Sequence, residues 1–349
     1  MEIQRLIPFP ILFDITDNLG ETLKKALLEH FPGRERLLLV SDNSGAKRYG
    51  EYVEKILSPE SVLFMRGGTI SDVMHLEATI KEKEPDMLIG IGGGRILDTV
   101  KMAGFRTYVP FILVPTSLSH DGIISPVAVI DFGKEVKSVG AIAPNGVIVD
   151  INIIKEAPSL LKLAGCGDLV SNLSALEDWK LASKYKGEKI DYFAYMLSKT
   201  GAKNIILSEH EAFSEDFLKD LAEGLAASGL SMIIAGNSRP ASGAEHLISH
   251  ALDRITDRKN PHGIQVGIAT IFTQTLRGKD TQKIINFFKK IGFPLTPMDI
   301  GIDKKTFMEA VKLAPSTRKG RFTILDIKNN PMNWEKAFEV YLKFEERNT

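Results

Sequence analysis

Three side chains of the kind that bind divalent metals, Asp168, His246 and His262, lie downstream of a glycine-rich turn, Gly92-Gly93-Gly94-Arg95-Ile96-Leu97-Asp98. Catalytic zinc takes three protein ligands from histidine and carboxylate and leaves one position for water or substrate. Bare glycine backbone lets a pyrophosphate come close, and a helix starting there points its N-terminus at the negative charge. A metal facing a nucleotide cofactor suits hydride transfer to or from an alcohol. His246 and His250 stand one helical turn apart, but His246-Leu247-Ile248-Ser249-His250 lacks the glutamate base of helical metalloproteases. Cys166, between Gly165 and Gly167, reads as a small buried residue.

A second cluster follows the next apolar run, at Val114-Pro115-Thr116-Ser117-Leu118-Ser119-His120-Asp121-Gly122-Ile123-Ile124-Ser125-Pro126. Hydroxyls, a histidine and a carboxylate gather behind a proline-stiffened strand end, where loops usually line a site. Thr116, Ser117, Ser119 and Ser125 can donate to phosphate or carboxamide oxygens, and Asp121 can accept from a substrate hydroxyl. Asp98 and Lys101, one turn apart on the expected helix, read either as a surface pair of about 0.3 kcal/mol or as a functional pair.

These residues need elements to hold them. Short β-rich runs at 36–40, 62–65, 87–91, 111–114, 127–130 and 147–150 alternate with helical patterns. That alternation predicts an α/β, Rossmann-like domain with a mostly parallel sheet and crossover helices. Ligands in such sheets collect at the carboxyl ends of the strands. Turn chemistry marks those ends at Ser41-Asp42-Asn43-Ser44-Gly45, Arg66-Gly67-Gly68-Thr69 and the Gly92 loop. After about Asp150 the β pattern thins, and 169–184, 215–235, 244–255, 264–275 and 306–313 read as helices. We therefore expect a nucleotide-binding domain over 1–155 and an all-α domain over 156–349. Ser242-Gly243-Ala244-Glu245 has capping-box spacing, with Ser242 accepting from the backbone and Glu245 reaching back. A helix should start there, with His246 and His250 on one face. Residues 180–203, rich in lysine, are the one stretch that reads as flexible.

Lys+Arg and Asp+Glu both number 44 in 349 residues, so the net charge is zero. That balance argues against the broad basic field needed for nucleic acid or an anionic membrane surface. Cys166 is the sole cysteine, which rules out an internal disulfide and fits a reducing compartment. Met1-Glu2-Ile3-Gln4-Arg5 lacks the basic segment and apolar core of a signal peptide. No apolar run nears the ~20 residues that span a bilayer. The expectation is a cytoplasmic chain of about two domains, at ~100 to 200 residues each.

The ordered motifs Gly-Gly-Gly-x-x-x-Asp at 92–98, Pro-Thr-Ser at 115–117, Asp-Gly-x-x-Ser-Pro at 121–126, Gly-x-Gly-Asp at 165–168, Gly-Ala-Glu-His-x-x-x-His at 243–250 and His-Gly-x-x-Val-Gly at 262–267 form one set. Over nearly the whole chain this set resembles the metal-dependent superfamily of glycerol dehydrogenases, group III alcohol dehydrogenases and dehydroquinate synthases. Residues 115–122 and 242–246 are most similar to its glycerol-1-phosphate dehydrogenases, which make the archaeal lipid backbone. The resemblance implies a dehydroquinate synthase-like fold. It implies NAD(P) held by Gly92, Gly93, Gly94, Arg95, Ile96, Leu97 and Asp98 and by Thr116, Ser117, Leu118 and Ser119, with Ser125 also near the cofactor. It further implies zinc on Asp168, His246 and His262, and substrate against Asp121, Asp168 and His250. Iron-dependent alcohol dehydrogenases place a histidine four residues after the ligand aspartate; here that position is Asn172, which favours zinc with an open site.

The implied activity is reduction of dihydroxyacetone phosphate to sn-glycerol 1-phosphate for archaeal-type phospholipid synthesis. The metal, held by Asp168, His246 and His262, would polarise the C2 carbonyl while the nicotinamide of NAD(P)H would supply hydride, and the proton would come from water relayed by Asp121 or from His250. Lys137, Arg318, Lys319 and Arg321 are candidates for the substrate phosphate, the last three beside residues 322–325, which read as a strand. Asp42 could repel a 2′-phosphate that Ser41, Asn43 and Ser44 could accommodate, so NAD and NADP both stay open. Rival readings are a glycerol dehydrogenase, a dehydroquinate synthase-like lyase that recycles its NAD, and a non-catalytic nucleotide-binding module. The expected partners are a small phosphorylated ketone or alcohol and further copies of the chain, in a homo-oligomer of two or more.

Overall fold

The computed structural model describes residues 9–133, 135–257 and 260–346, so the opening Met1-Glu2-Ile3-Gln4-Arg5 lies outside the described residues. The chain divides into two compact units, Met1–Pro158 and Ser159–Thr349. The first unit runs β1 (Leu12–Thr16), α1 (Leu19–Glu29), β2 (Leu37–Asp42), α2 (Lys47–Leu57), β3 (Ser61–Met65), α3 (Ile70–Lys83), β4 (Met87–Gly92), α4 (Gly94–Thr107) and β5 (Phe111–Pro115). A 3-10 turn at Asp121–Ile123 leads to β6 (Val127–Asp131), β7 (Val136–Gly140), β8 (Gly146–Asp150) and α5 (Ile151–Glu156).

Strands β4, β5 and β8 are buried along their whole length. Their continuous apolar runs are what a parallel sheet covered by helices on both faces requires. The sheet has six strands in the order β1-β8-β5-β4-β2-β3, every neighbouring pair parallel. Leu23, Leu39, Ile89, Ile91, Ile112 and Val114 pack into one core against it. Strands β2 and β4 are neighbours, yet β2 leads outward to β3 while β4 leads the other way to β5. Their gap is the topological switch point, and sheets of this kind bind ligands outside the carboxyl ends at that point. Register sets Ser41 beside Ile91 and Gly92 beside Pro115, so the loops after Asp42, Gly92 and Pro115 leave along one edge.

Residues 127–130 do form a strand, but outside the parallel sheet: β6 pairs antiparallel with β7 in a separate two-stranded sheet. No α-helix separates β5 from β6, and a parallel return needs a crossover of about a dozen residues or more. Strands β1 and β7 escape sequence reasoning because β1 is half-buried throughout and β7 is mostly exposed, so neither alternates.

The second unit is helical among its described residues: α6 (Ser159–Lys186), α7 (Tyr192–Leu207), α8 (Glu215–Ala235), α9 (Ala244–Ile255), α10 (His262–Leu276), α11 (Gln282–Ile291), α12 (Lys304–Thr317), α13 (Ile324–Ile327) and α14 (Pro331–Glu346). Two expectations fail here. Residues 180–203 are the end of α6 and most of α7, tied where Trp179 Nε1 donates to the Lys189 carbonyl at 3.2 Å and where Asp191 caps α7. Lys184 and Lys186 close α6, where positive charge complements the helix dipole. Residues 322–325 form no strand: Thr323 and Asp326 make a capping box that starts α13, and that local bonding outweighs β-propensity. No helix among the described residues is long and apolar enough to cross a membrane.

Asp98 and Lys101 are not a surface pair. Lys101 Nζ lies 2.8 Å from Asp98 Oδ1, with side chains 0% and 6% exposed. Lys101 also donates to the carbonyls of Gly122, at 2.8 Å, and Val127, while Asp98 Oδ2 accepts from the Val129 N–H at 3.0 Å. The pair therefore fastens α4 to the turn that carries Asp121 and to β6. Removing one partner of such a pair strands a buried charge and costs about 3 to 5 kcal/mol. We predict a loss of that size for Lys101→Met in denaturant unfolding; a loss below ~0.5 kcal/mol would return the pair to a surface role.

Candidate active site

Asp168 sits in the middle of α6, His246 near the start of α9 and His262 at the first position of α10. Their ligand-type atoms all lie within 4.8 Å of one another, the one such group of three among the described residues. Glycine makes the approach possible. A Cβ on Gly167 would fall 2.1 Å from the Gly263 carbonyl oxygen, and one on Gly263 would fall 1.9 Å from the Ala164 carbonyl oxygen. Helices α6 and α10 thus cross backbone on backbone, bringing together Asp168, just after one glycine, and His262, just before the other. The His246 Nε2 is 3.9 Å from Asp168 Oδ1. His246 meets the His262 ring edge-on at 4.9 Å, and His250 stacks on it at 5.7 Å. Burial is the main cause that holds both His246, well below its usual range, and His250 in the neutral form, the form that ligates metals.

The start of α9 differs from expectation. The cap residue is Gly243 rather than Ser242, so the cap position itself has no side chain to offer. Glu245 does reach back, accepting from the Gly243 N–H at 2.5 Å, and its Oε1 lies 3.1 Å from His246 Nδ1. Asp178 takes the place intended for Ser242. It accepts from the Ala244 N–H and the Ile324 N–H, each at 2.7 Å, and is ion-paired with Arg277. Arg277 in turn donates to Ser174 Oγ at 3.0 Å. Burial pushes the Asp178 and Glu245 carboxyls up, and Arg277 pulls both down. Cys166 is buried, and its thiol is pushed up for the same reason.

Arg321 is buried, donating to the Ser242 carbonyl at 3.2 Å and to Ser238 Oγ at 2.7 Å; Arg318 shares that hydroxyl at 2.9 Å. Arg239 is clamped by Glu188, with Nε 2.7 Å from Oε2, and donates to the Phe322 carbonyl at 2.8 Å. Burial, then Arg318 and Arg239, pull Arg321 down to about 9. Among the causes lowering His246 are Arg321 and Arg318, so positive potential from this cluster reaches the triad. Lys319 is exposed. In the first unit Lys137 stands on β7, half exposed and 2.6 Å from Glu135.

Around the switch point, Gly93 caps α4 with extended backbone, and a Cβ there would meet nothing within 4 Å. At Gly94 a Cβ would lie 2.6 Å from His120 Nε2. Arg95 is exposed, but Ile96, Leu97 and Leu118 have buried core side chains, so any ligand contact falls to their backbone. The Asp98 carboxylate faces Lys101 and Val129. Ser117 and Ser125 are buried, and Thr116 and Ser119 partly so. Asp42 accepts from the Ser44 N–H at 2.6 Å and the Ser44 hydroxyl at 2.5 Å. Ser41 is fully buried against Gly50 of α2, which removes it from any role at a 2′-phosphate.

Over residues 15–158 the chain matches the family described as iron-containing alcohol dehydrogenase. It is 42% identical over 282 residues to the glycerol-1-phosphate dehydrogenase (NAD(P)+) of Pyrococcus horikoshii, spanning 79% of this chain and 81% of that protein. It is 38% identical over 297 residues to the protein of the same name from Nitrosopumilus maritimus, spanning 83% of each. The chain belongs to the glycerol-1-phosphate dehydrogenase family. Its fold is that of a probable glycerol dehydrogenase from Sinorhizobium meliloti 1021, with a TM-score of 0.77 at 20% identity over 99% of both chains.

In this member of the glycerol-1-phosphate dehydrogenase family Asn172, one turn after Asp168, donates to Ser228 Oγ at 2.9 Å and so ties α6 to α8. Sequence reasoning missed Asp178, Glu188, Arg239 and Arg277. A charged residue in a helical or loop pattern reads as solvated surface, because the partner that holds it, such as Arg277 for Asp178 or Glu188 for Arg239, is distant in sequence. The helix crossing yields a prediction. The Ala164 backbone cannot move aside for a methyl group at Gly263, so Gly263→Ala should destabilise the second unit by about 1 to 3 kcal/mol or more. Unchanged calorimetric melting would mean that the helices separate freely.

Proposed function

We propose that this chain reduces dihydroxyacetone phosphate to sn-glycerol 1-phosphate with NADH or NADPH and a zinc ion, supplying the backbone of archaeal-type phospholipids. The observation that carries the reading is the juxtaposition in the second unit of a metal-competent triad with a cluster of three guanidiniums, of which Arg239 is ion-paired with Glu188 while Arg318 and Arg321 meet at Ser238. One carboxylate and two imidazoles match the donor set of a catalytic zinc with an open position. The bare backbone at Gly93 and the N-terminus of α4 match a pyrophosphate. When bound, zinc would polarise the C2 carbonyl as a Lewis acid, and the nicotinamide would supply the hydride that reduces it.

The chain's own residues do the rest. Asp168, His246 and His262 hold the metal. Arg321, with Arg318 beside it, takes the substrate phosphate by charge-assisted hydrogen bonds and so fixes the ketone's orientation. The proton that completes the alcohol comes either from His250 or from water relayed by Asp121. The Lys101 anchor keeps Asp121 on its turn. The proposal includes assembly into a homo-oligomer in the cytoplasm, a setting in keeping with the single cysteine. Exposed Tyr192, Phe193 and Met196 on α7 offer an apolar face for a second copy. Light scattering should then give a mass above the 38.5 kDa of one chain.

The deciding assay compares dihydroxyacetone phosphate with free dihydroxyacetone in NAD(P)H oxidation. The phosphorylated ketone should be strongly preferred, and Arg321→Ala should lower kcat/KM for it by about tenfold to a hundredfold, the ~1.5 to 3 kcal/mol of a charge-assisted bond. Activity with the free ketone should barely move, and Lys137→Ala, already paired with Glu135, should show the smaller effect. A preference for free dihydroxyacetone, or equal losses on both substrates, would favour a glycerol dehydrogenase.

A further inference from the structure

The two histidines of the triad are held by different means. His246 Nδ1 faces the Glu245 carboxylate directly. His262 Nδ1 lies 2.9 Å from the Ser249 hydroxyl, which is 2.6 Å from Gln265 Oε1, and Gln265 Nε2 is 3.1 Å from Asp253 Oδ1. Ser249 and Asp253 stand one turn apart on α9, as do His262 and Gln265 on α10, so the bonds zigzag between the two helices. Ser249 and Gln265 are buried, whereas Asp253 is exposed.

The proton positions follow from the far end. A carboxylate oxygen only accepts, so Asp253 draws the amide nitrogen of Gln265 towards itself and leaves Oε1 facing Ser249. An amide oxygen also only accepts, so the single hydroxyl proton of Ser249 goes to Gln265. Towards His262 the serine then has only a lone pair to offer, and Nδ1 must carry the imidazole proton. The lone pair left on the ring is at Nε2, the nitrogen a metal would take. We propose that Ser249, Gln265 and Asp253 are positioning residues that fix His262 as its Nδ1–H tautomer and thereby set the metal affinity of the triad. The affinity half of this inference rests on the metal reading above; the tautomer half does not.

The test uses the full-length, metal-stripped protein labelled with nitrogen-15. Long-range proton–nitrogen correlation reads the tautomer of His262, and competition with a chromophoric chelator reads zinc affinity. The wild type should show Nδ1–H. In Gln265→Leu, of similar volume, the serine hydroxyl is released to donate to Nδ1. The Nε2–H tautomer should then appear, zinc affinity should fall about tenfold to a hundredfold, and the melting temperature of the metal-free chain should hold. Asp253→Ala, at an exposed position that leaves the core intact, should shift both readouts in the same direction by less, and it carries the test if Gln265→Leu does not fold. An Nε2–H tautomer in the wild type, or variants that change neither readout, would overturn the inference. Failure of the wild type to bind zinc would instead remove the metal reading, with the tautomer still open to judgement on its own signal.

Discussion

The second unit is organised by the contact between α6 and α10 at Gly167 and Gly263. Helices that meet through ordinary side chains keep their axes about 8 to 10 Å apart. At this crossing a single methyl group would strike a carbonyl oxygen from either side. The residues flanking the two glycines are Asp168 and His262, so the same closeness that forbids a Cβ puts a carboxylate and an imidazole within ligand distance. Gly267 continues the contact one turn on, where a Cβ would lie 2.4 Å from the Phe293 ring and 3.0 Å from Gly167 Cα. A backbone crossing is also rigid, because neither helix has a side chain that can change rotamer to let the other slide.

The third member of the triad, His246, and the arginine cluster depend on a different interaction, the buried charge group of Asp178, Glu245 and Arg277. Two carboxyls and one guanidinium in a dry interior are costly unless each finds partners. Asp178 repays its desolvation by accepting backbone N–H groups at the starts of both α9 and α13, where the helix dipole adds to the attraction. One of those helices carries His246; the other begins three residues after Arg321. A single buried carboxylate therefore fixes the start of the helix that carries His246 and the loop of the buried arginine. Arg277, held to Asp178 and Ser174, closes the group from the far end of α10.

How much of this was legible in the sequence depended on the range of the signal. The strand before the glycine turn, the helix after it and the helix that opens near His246 were readable because apolar period and cap spacing are local. The start of α9 shows the limit: Glu245 reaches back as its spacing implies, but the other half of the cap comes from Asp178 on another helix, which no local pattern contains. Residues 322–325 erred the other way, since the β-branched run was read and the Thr323 to Asp326 capping box was not. Lys101 was invisible as a buried cation because an i,i+3 pair with Asp98 looks the same on an exposed helix. The lysines of 180–203 suggested flexibility where they in fact sit at helix ends and on outer faces. In the triad itself, residue types were legible, and the glycines beside them were read as motif letters rather than as the crossing that makes them neighbours.

The glycine-rich turn of the first unit divides its work in a way that its letters hide. Ile96 and Leu97 are core side chains, and Asp98 binds Lys101 and the β6 backbone. Gly94 is bare because His120 occupies the space beside it, and Gly92 because a Cβ would strike the Ile96 side chain at 2.8 Å. Only Gly93 is bare with nothing of the protein against it, in a backbone conformation that any residue could adopt. Packing explains the other two glycines of the turn and leaves Gly93 unexplained. Its position at the switch point, on the N-terminus of a fourteen-residue helix, is where a phosphate group would account for the missing side chain.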